Sequence, residues 1–362
     1  MPKPTAKTSP AIARAGAPKA KPAGRGVTPG PKKEKTKVKK GQGAPSPAAL
    51  TGSHEAVPLN GHAPLEVKLV KPGKAPKPTH QLKDPDTRVY VGDSRELLRS
   101  VPECAAGEVD LIFADPPFNW QVNYDKWHDG LPRDEYLNFT RNWLDGCIAA
   151  LKPNGTLWVN IPDDTAAEIV VHLKARGLHM INWCVWHFRF GQNRMGSFIM
   201  SKVHALYFAK DRDARTWNPD DILEPSDRAT TYFDPRTHNK AEGPNGLRVP
   251  MDVWYGKFWG RVQGNNKERR ENHRNQLPEV YLERVIRACS NEGDLVLDPF
   301  LGSGTTSTVA RGLKRRSIGL EYSPENAKSA FERIKAGPLR LGEAINQSTA
   351  IFAPRRVGKK QA

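Results

Sequence analysis

The sequence has few cysteines and no long apolar run, and each of these absences excludes a class of protein. Only 4 of the 362 residues are cysteine, and no two of them form a Cys-x-x-Cys pair. This pattern argues against a zinc site and a disulfide framework, and it favours a reducing compartment. No apolar stretch has the length of a signal-peptide core or a membrane span. We therefore expect a cytoplasmic protein with no membrane partner and no metal.

Acidic residues are scarce in the first 80 positions. This segment holds 16 Lys or Arg against 3 Asp or Glu, and 14 of the 31 prolines, in a chain of net charge +17. Such a composition cannot build an apolar core, so residues 1–80 are predicted to be a disordered basic tail. Its densest basic run, residues 32–40, predicts salt-sensitive attraction to nucleic acid. A tail that merely aids solubility is the alternative. Residues 341–362 are predicted to be a second basic extension.

Between these extensions, residues 81–340 alternate strands with amphipathic helices, which is typical of a mostly parallel sheet covered on both faces. Strands are expected at 87–91, 109–114, 156–161, 179–188, 203–209, 295–298 and 317–321. Ser94 is expected to cap a helix over 95–100, and residues 152–155 to stop a helix that begins near Tyr136. Further helices are expected over 164–176 and from Pro278, Thr306 and Ser323 onward. The predicted fold class is α/β, a Rossmann-like doubly wound sheet.

The sequence Asp115-Pro116-Pro117-Phe118 comes directly after a predicted buried strand. Its two prolines fix two φ angles and remove two N–H donors, so a helix cannot begin at once. A carboxylate and an aromatic ring are thereby held at the carboxyl end of a strand, the edge where ligands bind in open α/β sheets. A surface turn without function is the alternative.

A second strand end carries a glycine turn. Residues 295–298 lead into Pro299-Phe300-Leu301-Gly302-Ser303-Gly304-Thr305-Thr306, and a helix follows. Two glycines allow close backbone approach, and the helix directs its N–H groups at a ligand. No lysine follows the second glycine, which argues against a nucleoside triphosphate. Glu321, at the end of the next strand, can accept both ribose hydroxyls of an adenosine-bearing cofactor. An ordinary turn beside a solvated glutamate is the alternative.

These two motifs together resemble the amino-methylating DNA methyltransferases that use S-adenosylmethionine. The Asp-Pro-Pro-Phe motif comes first and the cofactor loop last, which resembles the permuted beta group of bacterial adenine methyltransferases. The likeness covers about residues 87–336 and includes residues 253–270. It also includes His273-Arg274-Asn275-Gln276-Leu277-Pro278, where the family commonly has His-Pro-x-Gln-Lys-Pro. Because Pro and Lys are missing there, we transfer no cofactor contacts to that segment.

The resemblance implies a circularly permuted methyltransferase fold and a set of site residues. It implies a catalytic half over about 87–209, a target-recognition insertion over about 210–274 and a cofactor-binding half over about 275–336. The catalytic residues that the resemblance implies are Asp115, Pro116 and Phe118. The S-adenosylmethionine contacts that it implies are Asp93, Asp298, Pro299, Phe300, Gly302, Ser303, Gly304, Thr305 and Glu321. For Asp93, a helix cap or turn residue is the alternative.

The chemistry of these residues favours transfer to an exocyclic amine. Such an amine is a poor nucleophile, and acceptance of its hydrogens by Asp115 and the Pro116 carbonyl frees its lone pair. A base in a duplex must be flipped out, and Phe118 can stack on it. Methylation of a ring carbon would need a cysteine nucleophile, and no Pro-Cys pair exists. We expect adenine-N6 as the target and keep cytosine-N4 as the alternative. Adenine is favoured because enzymes that methylate cytosine-N4 usually have Ser where this chain has Asp115.

The irregular insertion is rich in cations and aromatic residues. Cations that could contact phosphate or guanine are Arg212, Arg215, Arg228, Arg236, Arg248 and Lys257. The aromatic residues of 254–261 could wedge into DNA, but we favour packing below the rim of the site. His204 is expected to be structural, and Asn119 and Asn123 could lie in a loop that closes over the site.

The predicted partner is double-stranded DNA, bound by a monomer or homodimer associated with the nucleoid. A DNA-binding nucleoid protein that keeps the fold without catalysis is a rival from another class. For that rival, Asp115→Ala would leave DNA binding and DNA methylation unchanged. A small-molecule or protein methyltransferase is a further rival, although it has no evident use for the insertion.

Overall fold

A sheet of nine strands runs through the part of the chain that the structure describes. The structure is a computed structural model that describes residues 75–122, 126–188, 195–226, 247–270, 273 and 275–343. The strands are β1 (His80–Lys83), β2 (Asp86–Val91), β3 (Val109–Ala114), β4 (Leu151–Ile161), β5 (His179–His187), β6 (Lys202–Ala209), β7 (Glu224–Pro225), β8 (Leu247–Arg248), β9 (Val253–Trp254), β10 (Leu295–Asp298) and β11 (Arg316–Glu321). The α-helices are α1 (Ser94–Ser100), α2 (Pro102–Ala105), α3 (Arg133–Ala150), α4 (Asp163–Ala175), α5 (Glu279–Cys289), α6 (Thr305–Gly312) and α7 (Pro324–Ala336), and a 3₁₀-helix spans Pro219–Ile222.

The strand order is β1-β2-β11-β10-β3-β4-β6-β5-β9, and β7 and β8 form a separate pair. From β2 to β4 all neighbours are parallel, whereas β6 is antiparallel to both β4 and β5. The predicted mostly parallel α/β sheet is therefore confirmed. β3 and β10 are distant in sequence but adjacent in space, with Val296 opposite Leu111. Their carboxyl ends consequently lie at the same edge of the sheet. The predicted circular permutation stays a prediction.

Helices cover both faces of the sheet. On one face, Trp143 and Leu144 of α3 pack with α1, α2 and α4 against strand residues such as Ile112. On the other face, α5 and α6 pack with the buried rings of Trp254 and Trp259. Central strands are apolar at nearly every position because both of their faces are buried. The doubly wound architecture follows from this continuous apolar character.

The predicted cap of α1 is displaced by one residue. Asp93 is the N-cap, and its side chain accepts a hydrogen bond from the Arg95 N–H, whereas Ser94 is the first helical residue. Aspartate and serine are both good caps, and the backbone geometry decided between them. At α7 the prediction was correct, since Ser323 accepts from the Asn326 N–H.

The predicted helix stop at residues 152–155 lies inside a strand. α3 ends at Ala150, and β4 begins at once with Leu151. The pairing with β3 then jumps from Leu151 opposite Val109 to Thr156 opposite Leu111. The four turn-forming residues are therefore accommodated as a bulge, an arrangement that the sequence pattern did not predict.

Two strands of the sheet were not predicted. β1 pairs with β2 through His80 and Val89, so regular structure begins earlier than expected. β9 joins the sheet edge parallel to β5, which attaches the irregular insertion to the core. Both strands are short and lack a clear alternation of apolar residues. Most of the two predicted basic extensions, residues 1–74 and 344–362, lies outside the described residues.

Within the described residues, no helix is long and apolar enough to cross a membrane.

Candidate active site

Asp115 follows β3 directly and is held by the neighbouring strand. The Asn160 Nδ2 atom, in β4, donates to Asp115 Oδ1 at 2.7 Å. The two prolines that follow turn the chain, and the Tyr136 hydroxyl donates to the Pro117 carbonyl at 2.8 Å. The carboxyl, the turn and the Phe118 ring therefore form a rigid unit at the edge of the sheet.

Asp298 ends β10, next to β3, and begins the glycine turn. Its Oδ1 atom accepts a hydrogen bond from the Phe300 N–H at 2.9 Å. Gly302 and Gly304 have φ values of 48° and 77°, which glycine adopts without strain. A Cβ atom on Gly304 would lie 3.0 Å from the Ala330 Cβ. The second glycine is thus required both by backbone conformation and by the close packing of the turn against α7.

Glu321, at the end of β11, binds the same turn. Its Oε2 atom accepts from the Gly302 N–H at 2.8 Å, and its Oε1 atom accepts from the Ser323 N–H at 3.0 Å. Carboxylate oxygens can accept more than one hydrogen bond, so these contacts leave acceptor capacity for a ligand.

A cavity of about 700 Å³ lies over these strand ends. Its wall includes these predicted cofactor residues: Asp93, Asp298, Pro299, Phe300, Gly302, Ser303, Thr305 and Glu321. Gly304, also predicted, lies in the same turn but does not line the cavity. The volume suits a nucleoside-sized ligand, and the wall combines aromatic rings, backbone N–H groups and carboxylates. These donors and acceptors fit a cofactor that carries adenosine and an amino acid.

A second cavity, of about 680 Å³, is also lined by Asp115 and Phe118. Six residues line both cavities: Asp115, Phe118, Val122, Asn275, Gln276 and Leu277. The second wall also contains Asn160, Trp186 and Arg261. The predicted catalytic carboxyl therefore lies between two ligand-sized spaces, an arrangement suited to transfer between two bound molecules.

The two carboxyls at the strand ends are difficult to ionise. Burial raises the pKa of Asp115 to about 7, and the charge of Asp298 adds to the rise while the Asn160 hydrogen bond opposes it. Burial also raises the pKa of Asp298 to about 7, against hydrogen bonds from Thr306 and the Phe300 N–H. Perturbed carboxyls that line a cavity are typical of functional sites.

The DNA methylase family N6_N4_Mtase matches residues 109–332. The chain belongs to this family. It is 33% identical over 250 residues to the Type II methyltransferase M.HpaI of Haemophilus parainfluenzae, a match that covers 69% of this chain and 74% of that protein. It is also 33% identical over 255 residues to the DNA adenine methyltransferase YhdJ of Escherichia coli K12, with 67% and 81% covered.

The fold is shared with solved methyltransferase structures. The PvuII DNA methyltransferase, described as cytosine-N4-specific, superposes with a TM-score of 0.53 at 20% identity. The match covers 72% of this chain and 89% of that one. At this identity the likeness concerns the fold and carries no information on the target base.

Asp93 of the methylase is a helix cap, as its alternative interpretation predicted, and it also lines the 700 Å³ cavity. Its carboxylate caps α1 and forms a salt bridge with Arg95. Burial would raise the pKa of Asp93, but the hydrogen bonds from Arg95 outweigh it and lower the pKa below the usual value. The contact of Asp93 with a cofactor stays a prediction.

The loop after Phe118 is organised by a carboxylate that sequence reasoning missed. Buried Asp129 accepts hydrogen bonds from the N–H groups of Asn119, Trp120 and Val122 at 2.9, 3.0 and 3.0 Å. Asn119 and Gln121 both have positive φ, and each lines the second cavity. The left-handed backbone is thus stabilised by one acceptor beneath the loop. Asn123 lies outside the described residues.

The four predicted DNA-contacting cations that the structure describes are not gathered at one place. Arg212 and Arg215 follow β6, whose antiparallel pairing places Ala209 at the amino ends of the parallel strands, opposite the cavities. Arg248 forms a salt bridge with Glu224 at 3.6 Å. Lys257 lies over the Phe258 ring. Arg228 and Arg236 lie outside the described residues, and all six DNA contacts stay predictions.

The aromatic residues of the insertion were predicted to pack, and two of them do. Trp254 and Trp259 are 5% and 1% exposed. The Arg284 guanidinium lies 4.4 Å from the centroid of the Trp259 ring.

His204, predicted to be structural, accepts from the Trp183 indole N–H and contacts Asp163.

Several residues that build the site carried weak sequence signals. Asn160 interrupts the otherwise apolar end of β4, and this single polar residue in a buried strand is the sequence feature that marks it. Tyr281 of α5 resembled an ordinary core residue. Buried Arg333 of α7 donates to Thr305 Oγ1 and to Glu279 Oε1, both at 2.8 Å. It links the cofactor turn to α5, a contact that no local pattern reveals.

Proposed function

We propose that this methylase transfers a methyl group from S-adenosylmethionine to the exocyclic N6 of an adenine at specific sites in double-stranded DNA. The observation that carries the proposal is the position of Asp115 and Phe118 between two cavities. One cavity takes the methyl donor, and the other takes the base. Activity and DNA substrate follow from membership of the DNA methylase family.

The residues that line the cavity at the carboxyl ends of β10 and β11 would hold the cofactor. Glu321 would accept hydrogen bonds from the ribose hydroxyls, and the backbone N–H groups of the glycine turn and of the N-terminus of α6 would bind the polar end of the ligand. Phe300 and the neighbouring apolar wall would bind the adenine ring. When bound, the cofactor supplies an electrophilic methyl group on a sulfonium sulfur.

The acceptor base occupies the second cavity. Asp115 and the Pro116 carbonyl accept the two hydrogens of the exocyclic amine, which favours a pyramidal nitrogen with a localised lone pair. Phe118 stacks on the base, which has left the duplex because the amine cannot be reached within it. The rigid turn keeps amine and methyl donor aligned, and this positioning supplies much of the rate enhancement.

Adenine is favoured over cytosine by the residue that opens the catalytic motif. Asp115 stands where the cytosine-N4 class usually has Ser, and the relative YhdJ is described as a DNA adenine methyltransferase. Cytosine-N4 is the second candidate because its exocyclic amine offers the same two hydrogens to Asp115 and the Pro116 carbonyl. Residues 210–274 read the target sequence, and the basic tail adds sequence-independent affinity. The active species is a monomer or homodimer.

Nucleoside mass spectrometry tests this proposal. DNA is incubated with the purified full-length protein and labelled S-adenosylmethionine, and its nucleosides are then separated. We expect N6-methyladenine at a defined sequence, and we expect no label with Asp115→Ala. N4-methylcytosine without N6-methyladenine would contradict the choice of base. DNA binding without any transfer would favour a nucleoid protein that retains the fold without catalysis.

A further inference from the structure

Two consecutive hydrogen bonds connect helix α5, on one face of the sheet, to the carboxyl of Asp115. The Tyr281 hydroxyl of α5 donates to Asn160 Oδ1 at 3.1 Å, and Asn160 Nδ2 donates to Asp115 Oδ1 at 2.7 Å. We propose that Asn160 and Tyr281 are positioning residues that hold Asp115 with Oδ1 occupied, so that Oδ2 receives the amine of the base. The inference rests on the proposed function and assigns roles to residues outside the Asp-Pro-Pro-Phe motif.

The direction of these two hydrogen bonds follows from the chemistry of the residues. Tyr281 is fully buried, and burial raises its pKa well above the usual value, so its hydroxyl keeps its proton. The amide oxygen of Asn160 can only accept, and its Nδ2 atom can only donate. With the oxygen directed at Tyr281, the amide directs Nδ2 at the carboxyl. This orientation favours ionised Asp115, since an amide oxygen facing a carboxylate would be repelled.

The hydrogen bond from Asn160 restricts which oxygen of Asp115 can accept from a base. An ionised carboxyl has two acceptor oxygens, and the amide holds Oδ1. The amine of a base in the second cavity therefore meets Oδ2. Because rotation of the carboxyl would break the Asn160 bond, the plane of the carboxyl is defined before the base enters. Preorganisation of this kind is a positioning effect and needs no contact between Asn160 and the cofactor.

The packing around Tyr281 holds the two hydrogen bonds in place. Its ring contacts Phe113 of β3 edge-on, with centroids 5.5 Å apart. The rings of Trp186 and Trp254 lie at 5.7 and 5.3 Å. Asn160 is 1% exposed. Because three rings pack against Tyr281, its hydroxyl cannot turn toward another partner. The orientation of Asn160, and through it that of Asp115, is thereby fixed.

Other charged or titratable groups near Asp115 lie in the walls of the two cavities. Asp298 is its neighbour at the end of β10. The second cavity contributes Asp163, Asp164 and Arg261. The cofactor cavity contributes Asp93, Lys126, His273, Asp298, Glu321, Tyr322 and Glu325. Asn160 donates directly to the carboxyl, so its removal changes the pKa of Asp115 while these groups stay in place.

The positioning role predicts a specific effect of three variants of the full-length protein. Tyr281→Phe removes the donor to Asn160, and Asn160→Leu removes the donor to Asp115 while keeping the volume similar. Tyr207→Phe is the matched control, because Tyr207 is equally buried in the same apolar cluster but stacks on Trp158 instead. The two measured quantities are the pKa of Asp115, from its carboxyl ¹³C shift, and the single-turnover rate of methyl transfer against pH.

In Asn160→Leu, we expect the pKa of Asp115 to rise by about one unit and the rate at pH 7 to fall about tenfold. Tyr281→Phe should shift both quantities in the same direction by less, and Tyr207→Phe should leave them unchanged. Cofactor affinity should stay within about twofold in all three, because Asn160 and Tyr281 do not line the cofactor cavity.

An unchanged pKa and pH profile in both Asn160→Leu and Tyr281→Phe would overturn the inference. A parallel loss of cofactor affinity and melting temperature would also overturn it, since that pattern indicates a purely structural role. The ¹³C measurement needs no DNA. If the wild-type protein methylated cytosine or no base at all, the proposed function would fail, while the pKa shifts would still decide the role of the two residues.

Discussion

Asp115 follows β3, Asp298 ends the adjacent parallel strand β10, and the charge of Asp298 adds to the rise that burial causes in the pKa of Asp115. One residue belongs to the catalytic turn and the other to the cofactor turn, so the two halves of the site are coupled electrostatically. Because Asp298 is buried and Asp115 is partly buried, solvent screens this interaction less than it would at the surface. The pKa of Asp115, about 7, therefore lies close to neutral pH.

Methyl transfer is expected to depend on pH through Asp115. The carboxyl accepts amine hydrogens best when it is ionised, and its pKa is raised to about 7. The single-turnover rate at saturating cofactor and DNA should rise about tenfold per pH unit below this value and level off above it. A rate independent of pH from about 5.5 to 8.5 would contradict a role for ionised Asp115.

The same carboxyl should destabilise the folded protein at alkaline pH. Its folded pKa is raised, so the folded state binds the proton more tightly than the unfolded chain does. The contribution of this carboxyl to stability is therefore greatest below its unfolded pKa, near 4, and is lost as the pH rises to its folded pKa of about 7. Asp115→Asn should increase the free energy of unfolding on the order of 2 kcal/mol at about pH 8 and change little at about pH 4. Urea unfolding measures both values, with exposed Asp213→Asn as the control.

The buried ion pair between Arg333 and Glu279 should stabilise the cofactor turn. Their side chains are 5% and 1% exposed, and the same guanidinium donates to Thr305. Arg333→Met removes the counter-ion of the buried Glu279 carboxylate, which keeps only the hydrogen bonds from the Leu339 and Arg340 N–H groups. The change should lower the free energy of unfolding by about 3 kcal/mol and weaken cofactor binding. Lys335→Met, which breaks the exposed pair with Glu332 on the same helix, should cost less than about 1 kcal/mol. Equal losses in the two variants would contradict this role.

Gly304 and Gly177 offer a paired test of close packing. Both have positive φ, 77° and 85°. A Cβ on Gly304 would meet Ala330, whereas one on Gly177 would meet no atom within 4 Å. Gly177→Ala should cost about 1 kcal/mol from backbone strain. Gly304→Ala adds a displacement of α7 from the cofactor turn, so it should cost more and should also reduce cofactor affinity measured by calorimetry. If both variants bind cofactor equally well, the close contact is unimportant for the site.

The amino-terminal tail should contribute affinity for DNA without contributing to the fold. A deletion of residues 1–74 ends before Thr79, whose N–H donates to the Val89 carbonyl. The truncated protein should keep its melting temperature, bind DNA more weakly and show a shallower dependence of binding on salt concentration. Binding titrations at several salt concentrations measure this slope. An unchanged slope would favour the alternative of a tail that aids only solubility.

Local patterns in the sequence determined most of the architecture. Strands such as β3 and β10 are mostly apolar, and the helices repeat apolar residues at a spacing that marks one buried face. Asp115 and the Gly302–Thr305 turn were also found by sequence, because proline and glycine restrict or release the backbone in ways that depend on few neighbours. The family resemblance drew on the same two segments.

Tertiary structure alone decided which distant residues meet. The pairing of β3 with β10, the contact of Tyr281 with Asn160 and the bond from Arg333 to Thr305 join segments far apart in the chain. The bulge at 152–155 and the attachment of β9 likewise depend on a partner strand. Hydrogen bonds across the sheet and burial between layers overrule local preferences, so the orientation of Asp115 could not be derived from its own motif.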